Sequence, residues 1–336
     1  MPFARSPCYP AGHMKAPTSG LRELRRCRRQ PSRRPLPRII RASLAIGLLF
    51  FSSRGVLAST ITVDSTADTA ADDGLCTLRE AITAANTNTA SGTMPGECAA
   101  GEASPTVDTV AFAIPGAGAH TITPTSSLPS ITEAVLIDGY TQPGNGGPDA
   151  SPNTLAVGDD AVLLIEISGA SAPGLTMINI TGPAGGSTVR GLVINQTNGG
   201  NAFVVGFSIA SSNNTITGNF IGLDPTGTTV PGSGPAPGVR FAVGSSNTFG
   251  GTTPAARNVM AGSGCCGNAY IVLDSAGSSV IQGNYFGTNA SGTAALSIDG
   301  HINGIVVLTN GNTIGGTTSG AGNVIAGTSI DRKSVV

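Results

Sequence analysis

The 336 residues include 48 glycines, 22 prolines and no tryptophan, with aromatic residues at 4% and charged residues at 11%. This composition suits tight turns and small or branched side chains and excludes an aromatic-rich helical core. The formal charge of −1 hides an asymmetry: 12 of the 18 Lys and Arg residues fall within the first 58 positions, whereas Ser59 to Ile330 holds only Arg79, Arg190, Arg240 and Arg257 against 17 acids, a charge near −13 that repels phosphate backbones and argues against a nucleic-acid partner.

Residues 1–58 read as a basic leader and signal peptide. A basic run from Arg5 to Arg41 precedes the apolar stretch Ala42–Phe51 and the small-residue end Val56-Leu57-Ala58. Basic, then apolar, then A-x-A-like is the order of a secretory signal, with cleavage expected after Ala58. The basic part is unusually long, which a later start at Met14 or an overextended gene start would explain. A basic arm or a membrane anchor is the competing reading, but the apolar stretch is too short to span a bilayer comfortably.

Residues 59–130 form an N-terminal module in which Ile61-Thr62-Val63-Asp64 leads to Cys76-Thr77-Leu78-Arg79-Glu80-Ala81-Ile82-Thr83-Ala84-Ala85-Asn86. Leu78, Ile82 and Ala85 fall at i, i+4 and i+7, one apolar stripe, with Thr77 as the start signal and Asn86 as the exit. The spacing predicts a short amphipathic helix. Its expected use is to cover the open end of a stack of strands, where unpaired backbone groups would otherwise recruit another chain.

From residue 131 to 330 the chain repeats. Gly218-Asn219-Phe220 returns as Gly283-Asn284-Tyr285, Asn247-Thr248-Phe249-Gly250-Gly251-Thr252-Thr253 as Asn312-Thr313-Ile314-Gly315-Gly316-Thr317-Thr318, and Asn258-Val259-Met260-Ala261-Gly262 as Asn323-Val324-Ile325-Ala326-Gly327, each at an offset of 65. The unit divides again: Thr188-Val189 precedes Thr215-Ile216 by 27 residues, and Thr248-Phe249, Val280-Ile281 and Thr313-Ile314 follow at steps of 33, 32 and 33. Short apolar runs such as Val239, Phe241 and Val243 alternating with Arg240 and Ala242, or Ile271-Val272-Leu273 and Ile305-Val306-Val307-Leu308, are strands. Coils of about 25 to 33 residues are too short for propeller blades and cannot bury an apolar face alone. Stacked coaxially about 4.8 Å apart they shield a continuous aliphatic column. Asn219, Asn258, Asn284 and Asn323 beside glycine are read as corner residues with internal hydrogen bonds, or more plainly as polar turn residues; either role is structural.

The CTLREA run at Cys76–Ala81 closely resembles the CSLREA domain, with Thr77 for serine. The text downstream, Ile137-Asp138-Gly139-Tyr140-Thr141-Gln142-Pro143-Gly144, then Val189-Arg190-Gly191-Leu192-Val193-Ile194, then Gly218-Asn219-Phe220-Ile221-Gly222, is similar to bacterial β-helix proteins carrying that domain. The resemblance, over roughly Thr60 to Ile330, implies an all-β fold, a right-handed parallel β-helix solenoid of pectin-lyase-like type with a short N-terminal capping helix. It also implies export or surface attachment and assigns no reaction. The handedness comes from the resemblance alone. Residues 331–336 break the repeat in mid-coil and resemble a translated sequencing adapter, so the natural chain is expected to continue past Ile330.

Cys76 and Cys98 bracket the helix, and in an oxidising compartment a disulfide between them is expected. Cys265 and Cys266 are adjacent in a Gly-rich turn, where a strained vicinal disulfide, free thiols and pairing elsewhere all stay open, and their spacing is not that of a zinc site. For chemistry, a lyase needs acids gathered around Ca²⁺ with a basic residue close by, and a glycosidase needs two carboxylates about 5 to 9.5 Å apart. Asp224, Asp274 and Asp299 near His301 are the loop candidates, each also readable as a solvated turn residue; His120 falls in a strand-turn region, and Arg190, Arg240 and Arg257 belong to separate coils. Tyr270 and Tyr285 fit either exposed sugar platforms or rung positions.

The expectation is an exported bacterial surface or extracellular scaffold, an adhesin-like passenger without catalytic, cofactor or metal residues, meeting extracellular polysaccharide or cell-surface components and having no membrane span in the mature part. The alternatives are a polysaccharide lyase or glycoside hydrolase of the same fold, or a non-catalytic glycan-binding module.

Overall fold

The computed structural model describes residues 58–171, 176–196, 205–232, 238–262, 269–296 and 303–326. The expected leader up to residue 57, Cys265, Cys266, Asp299, His301 and residues 331–336 lie outside them. Among the described residues the strands form three wholly parallel sheets. The first contains Thr60–Val63, Asp108–Phe112, Val135–Asp138, Thr188–Arg190, Thr215–Thr217, Thr248–Gly250, Val280–Gln282 and Thr313–Ile314. The second contains His120–Ile122, Ile165–Ser168, Leu192–Asn195, Phe220–Ile221, Val259–Met260, Tyr285–Phe286 and Val324–Ile325. The third contains Ile178–Thr181, Val205–Ala210, Gly238–Ser245, Ala269–Gly277 and Asn303–Val307. From Val135 onward the chain visits first, second and third sheet in that order and returns beside its previous strand, a parallel β-solenoid.

The register follows the sequence interval. Thr188, Thr215, Thr248, Val280 and Thr313 are partners in successive strands, and so are Phe220, Val259, Tyr285 and Val324. A 65-residue offset is therefore two coils. The residues after Thr188, Thr215, Thr248 and Val280 point inward, giving the column Val189, Ile216, Phe249 and Ile281, all fully buried. At about 1.5 to 3 kcal/mol per buried aliphatic or aromatic side chain, each coil is stable only against its neighbours. Aromatic rings continue the filling: Phe249 stacks on Phe286 with centroids 6.3 Å apart, and Tyr270 lies 5.9 Å from Phe286.

The middle strands of the second sheet, from Leu192–Asn195 to Tyr285–Phe286, are buried on both faces, which is why they read as unbroken apolar runs rather than as alternation. Ile194, Ile221, Met260 and Phe286 line the inner core, while Val193, Phe220, Val259 and Tyr285 belong to a separate outer cluster with Leu163, Leu223 and Ala290 from the loops. In the third sheet the expected alternation fails at Val243, which is 48% exposed. A register shift between Phe241 and Val243 against the preceding strand turns it outward.

The helix spans Leu78–Thr87, past the exit expected at Asn86. Its C-cap is Asn88 at φ 55°, a left-handed conformation that asparagine tolerates, whereas the Asn86 side chain bonds the Ser130 carbonyl and the Thr132 amide. Each residue of the CTLREA run has a structural task. Thr77 is the N-cap, and its hydroxyl accepts from the Glu80 amide while Glu80 accepts from the Thr77 amide, a reciprocal capping box. Arg79 makes a two-pronged bond to Asp68 and donates to the Ser126 and Ser127 carbonyls. Leu78, Ala81 and Ile82 are buried in the same core as the first-sheet residues Ile61, Val63 and Val110. Residue 130 marks no break in that sheet, since Asp108–Phe112 pairs directly with Val135–Asp138.

A disulfide joins Cys76 to Cys98, both buried, across 22 residues. Loop-closure entropy assigns it about 3 kcal/mol. Cys98→Ser is expected to lower unfolding free energy in urea by about that amount, and to bring oxidised protein down to the stability of dithiothreitol-treated wild type. An unchanged urea midpoint would remove the staple from the account. Among the described residues no helix is long and apolar enough to cross a membrane.

Candidate functional site

The outward side chains of the first sheet place Asp138, Arg190 and Thr217 side by side in consecutive strands. Immediately after Asp138 the chain makes a short 3₁₀ turn, Gly139–Thr141, in which Asp138 accepts from the Tyr140 amide at 3.1 Å. Tyr140 then lies over the two following coils, and its hydroxyl donates to the Gly218 carbonyl at 2.8 Å. Glycine is required beneath it: Gly191 and Gly218 sit at φ 72° and 66°, and a Cβ on Gly218 would come within 2.3 Å of the tyrosine hydroxyl. Opposite Tyr140 stands the 3₁₀ turn Pro254–Ala256. Between them opens a cleft of about 380 Å³ lined by Tyr140, Pro152, Arg190, Thr217, Thr253 and Ala255.

Arg190 donates through Nη2 to Asp138 at 2.6 Å, and this bond raises the guanidinium pKa further. Its side chain remains 44% exposed, whereas that of Asp138 is buried. Burial pushes the Tyr140 hydroxyl well above its ordinary value, with repulsion from Asp159 adding to it. Tyr140 therefore stays neutral and, with its proton committed to Gly218, is poorly suited to be a general base.

Arg257 is buried and acts as a clasp. Its guanidinium donates to the carbonyls of Leu155, Ala156, Gly158 and Gly283 and lies 4.5 Å from the Tyr285 ring centre. The Tyr285 hydroxyl accepts from the Gly158 amide at 3.0 Å, and Asn153 donates to the Pro254 carbonyl at 3.1 Å. The loop around residues 153–160 is thus tied to coils far away in sequence, and Tyr285 is a rung residue rather than a platform. Tyr270 is likewise buried.

Arg240 bonds Asp274 on the neighbouring third-sheet strand. Burial alone would raise Asp224, but bonds from the Thr226 hydroxyl and the Thr229 and Thr228 amides outweigh it, and its carboxyl lies below the usual range. Asn289, 65 residues on, closes the equivalent turn on Thr293 and Ala294. His120 lies in the second sheet with Nε2 3.1 Å from the Gly116 carbonyl. Arg190, Arg240, Arg257, Asp224 and Asp274 are not gathered into one constellation; only Arg190 enters the cleft, accompanied by Asp138.

The asparagines form a ladder. Nδ2 of Asn219, Asn258 and Asn284 donates to Oδ1 of Asn258, Asn284 and Asn323 respectively, at 3.0 to 3.1 Å. Each accepting oxygen also takes the backbone amide of the asparagine one coil earlier. A second ladder, at the turn entering the first sheet, was missing from the sequence reading. Asn247 Oδ1 accepts from the amide and Nδ2 of Asn214, and Asn312 Oδ1 from the Ser279 amide. It is interrupted at Ser279, whose buried hydroxyl has no hydrogen-bond partner among the described residues. The signal was present, since Asn247 and Asn312 share the 65-residue offset. The cleft had no such signal, because Tyr140, Arg190 and Ala255 are joined only by stacking.

Asp159, on the clasped loop, has its carboxyl pushed up to about 6, chiefly by burial, against the pull of the Ala161 amide and Arg257. An unfolded aspartate titrates near 3.9, so the native state holds this proton more tightly. For this group alone, stability is fully present below about pH 4 and is lost as pH rises through about 6. Asp159→Asn is expected to raise stability at pH 7 by roughly 1 to 2 kcal/mol, discounted for partial exposure, and to leave it unchanged at pH 4. Urea denaturation of both proteins from pH 4 to 7 checks this; parallel profiles would refute it.

No family model, curated protein or solved structure matches this chain.

Proposed function

We propose that the protein is an exported bacterial scaffold, an adhesin-like passenger whose three sheets wind as a right-handed parallel β-helix closed at its N-terminal end by the Leu78–Thr87 helix. The observation that carries this reading is the mutual use of polar groups from adjacent coils. The asparagine ladder satisfies buried backbone amides coil by coil, and Arg257 commits its donors to carbonyls of the chain itself. Such groups build a long, self-complementary object and leave recognition to its outer walls. The Cys76–Cys98 disulfide supports an oxidising compartment, and the leader and the CSLREA resemblance point the same way.

A carbohydrate-active enzyme is the second reading, favoured by Arg190, Asp138 and Tyr140 meeting at one cleft. It is weaker, because Asp138 is already bonded to Arg190 and Tyr140 has its proton engaged. Mass spectrometry of secreted protein is expected to find an N-terminus near Ser59, and an intact basic leader on exported material would refute the export reading. Incubation with pectin or alginate is expected to release no unsaturated oligosaccharides; their appearance would replace the scaffold by a lyase.

A further inference from the structure

We propose that the cleft between Tyr140 and the Pro254–Ala256 turn binds an uncharged sugar unit of a glycan. The proposal deepens the adhesin-like reading and rests on it for its biological setting.

The floor of the cleft is a set of hydrogen-bonding groups with capacity to spare. Arg190 spends Nη2 on Asp138, and no other partner is found for it among the described residues. Its remaining N–H groups are donors on a side chain that lines the cleft. Thr217 and Thr253 also line the cleft, and their hydroxyls, unpaired among the described residues, both donate and accept. The walls differ in chemistry. Pro152, Ala255 and Ala256 offer small apolar surfaces, and Tyr140 is held in place by its bond to Gly218. A pyranose has this division, a rim of hydroxyls around C–H faces, and a few placed polar groups within an apolar wall are what orient small ligands. About 380 Å³ lies near the small end of ligand pockets and suits a short stretch of glycan.

Electrostatics decides between neutral and acidic sugars. Arg190 already has its counter-ion in Asp138, so a second carboxylate gains little there. The body carries four arginines against 17 acids, which repels a polyanion at long range. Hydroxyl groups meet neither penalty. The wall is also pre-ordered: the Asn153 bond to Pro254 ties the Pro152 side to the Ala255 side before any ligand arrives.

The test is calorimetric titration of the purified protein with cello-, xylo-, manno- and maltohexaose, and with hexagalacturonate as the charged arm. At least one neutral hexasaccharide is expected to bind. Ala255→Trp, on an exposed turn, should fill the cleft and weaken that binding by about tenfold or more, and Thr217→Val by about threefold to tenfold. Arg190→Ala should do the same, but it leaves the buried Asp138 without its counter-ion, so the first two variants carry the test if it fails to fold. Binding of hexagalacturonate alone, binding indifferent to Ala255→Trp and Thr217→Val, or no binding to any neutral probe each overturns the proposal. A failed titration on protein with its N-terminus near Ser59 removes the sugar site and leaves the export reading intact. A retained leader removes that reading and leaves the titration standing.

Discussion

Asn258→Ala is expected to cost about 3 to 5 kcal/mol. Asn258 stands in the middle of the ladder and is fully buried. Its Nδ2 donates to the Ile216 carbonyl at 2.8 Å and to Asn284 Oδ1 at 3.0 Å, and its Oδ1 accepts both the amide and Nδ2 of Asn219. Alanine leaves the buried Asn219 amide unpaired, at about 1 to 3 kcal/mol, and takes one bond each from the Ile216 carbonyl, Asn284 Oδ1 and Asn219 Nδ2. For a domain of this size that is a fall in Tm of about 10 °C. Asn323 supplies the control. It is only partly buried, and its side-chain partners among the described residues all belong to the preceding coil. Asn323→Ala is therefore expected to cost about 1 kcal/mol. Guanidinium denaturation of the two variants measures the difference, and equal losses would mean that the asparagines act as separate turn residues rather than as a coupled ladder.

Arg257→Ala is expected to release the loop around residues 153–160 and to lower global stability by about 2 to 4 kcal/mol. The guanidinium gathers three carbonyls of that loop and one of the Gly283 corner, a task that depends on a planar fork of donors. Lysine has the charge without the fork, so Arg257→Lys should recover less than half of the loss. Leu155 and Val157 are exposed at the loop tip, within reach of elastase once the backbone is freed. Limited proteolysis should find the wild-type loop resistant and the alanine variant cut there at least about tenfold faster. Unchanged cleavage would show that the loop is held by Tyr285 and Asn153 without the arginine. Because Asn153 also reaches Pro254, an opened loop should disturb the cleft wall as well.

The stacked parallel sheets were legible because a repeated unit repeats its chemistry. Thr215, Thr248 and Thr313 occupy matching outward places, Ile216, Phe249 and Ile281 matching inward ones, and the register of the strands follows the sequence interval. The apolar pairs of the second sheet were visible as strands, but their burial on both faces was not, since short apolar runs do not say what lies on either side. Val243 shows the limit of alternation, because one register shift sends the next apolar residue outward. In the helix, the stripe at Leu78, Ile82 and Ala85 located the element, while its end was misplaced because Asn86 and Asn88 are equally good stop signals. Only the tertiary contacts of Asn86 with residues 130 and 132 separate them.

By itself the sequence determined the coil interval, the inward columns and the asparagine corners, all of which depend on local pattern copied from coil to coil. Tertiary structure alone decided the rest. Arg257 meets Gly158 across 99 residues, Tyr140 meets Gly218 across 78, and the Gly158 amide meets Tyr285 across 127. Those contacts are made by insertions of unequal length that have no copy in neighbouring coils. Their partners are set by how each loop folds over the stack, and no periodicity within the chain encodes that.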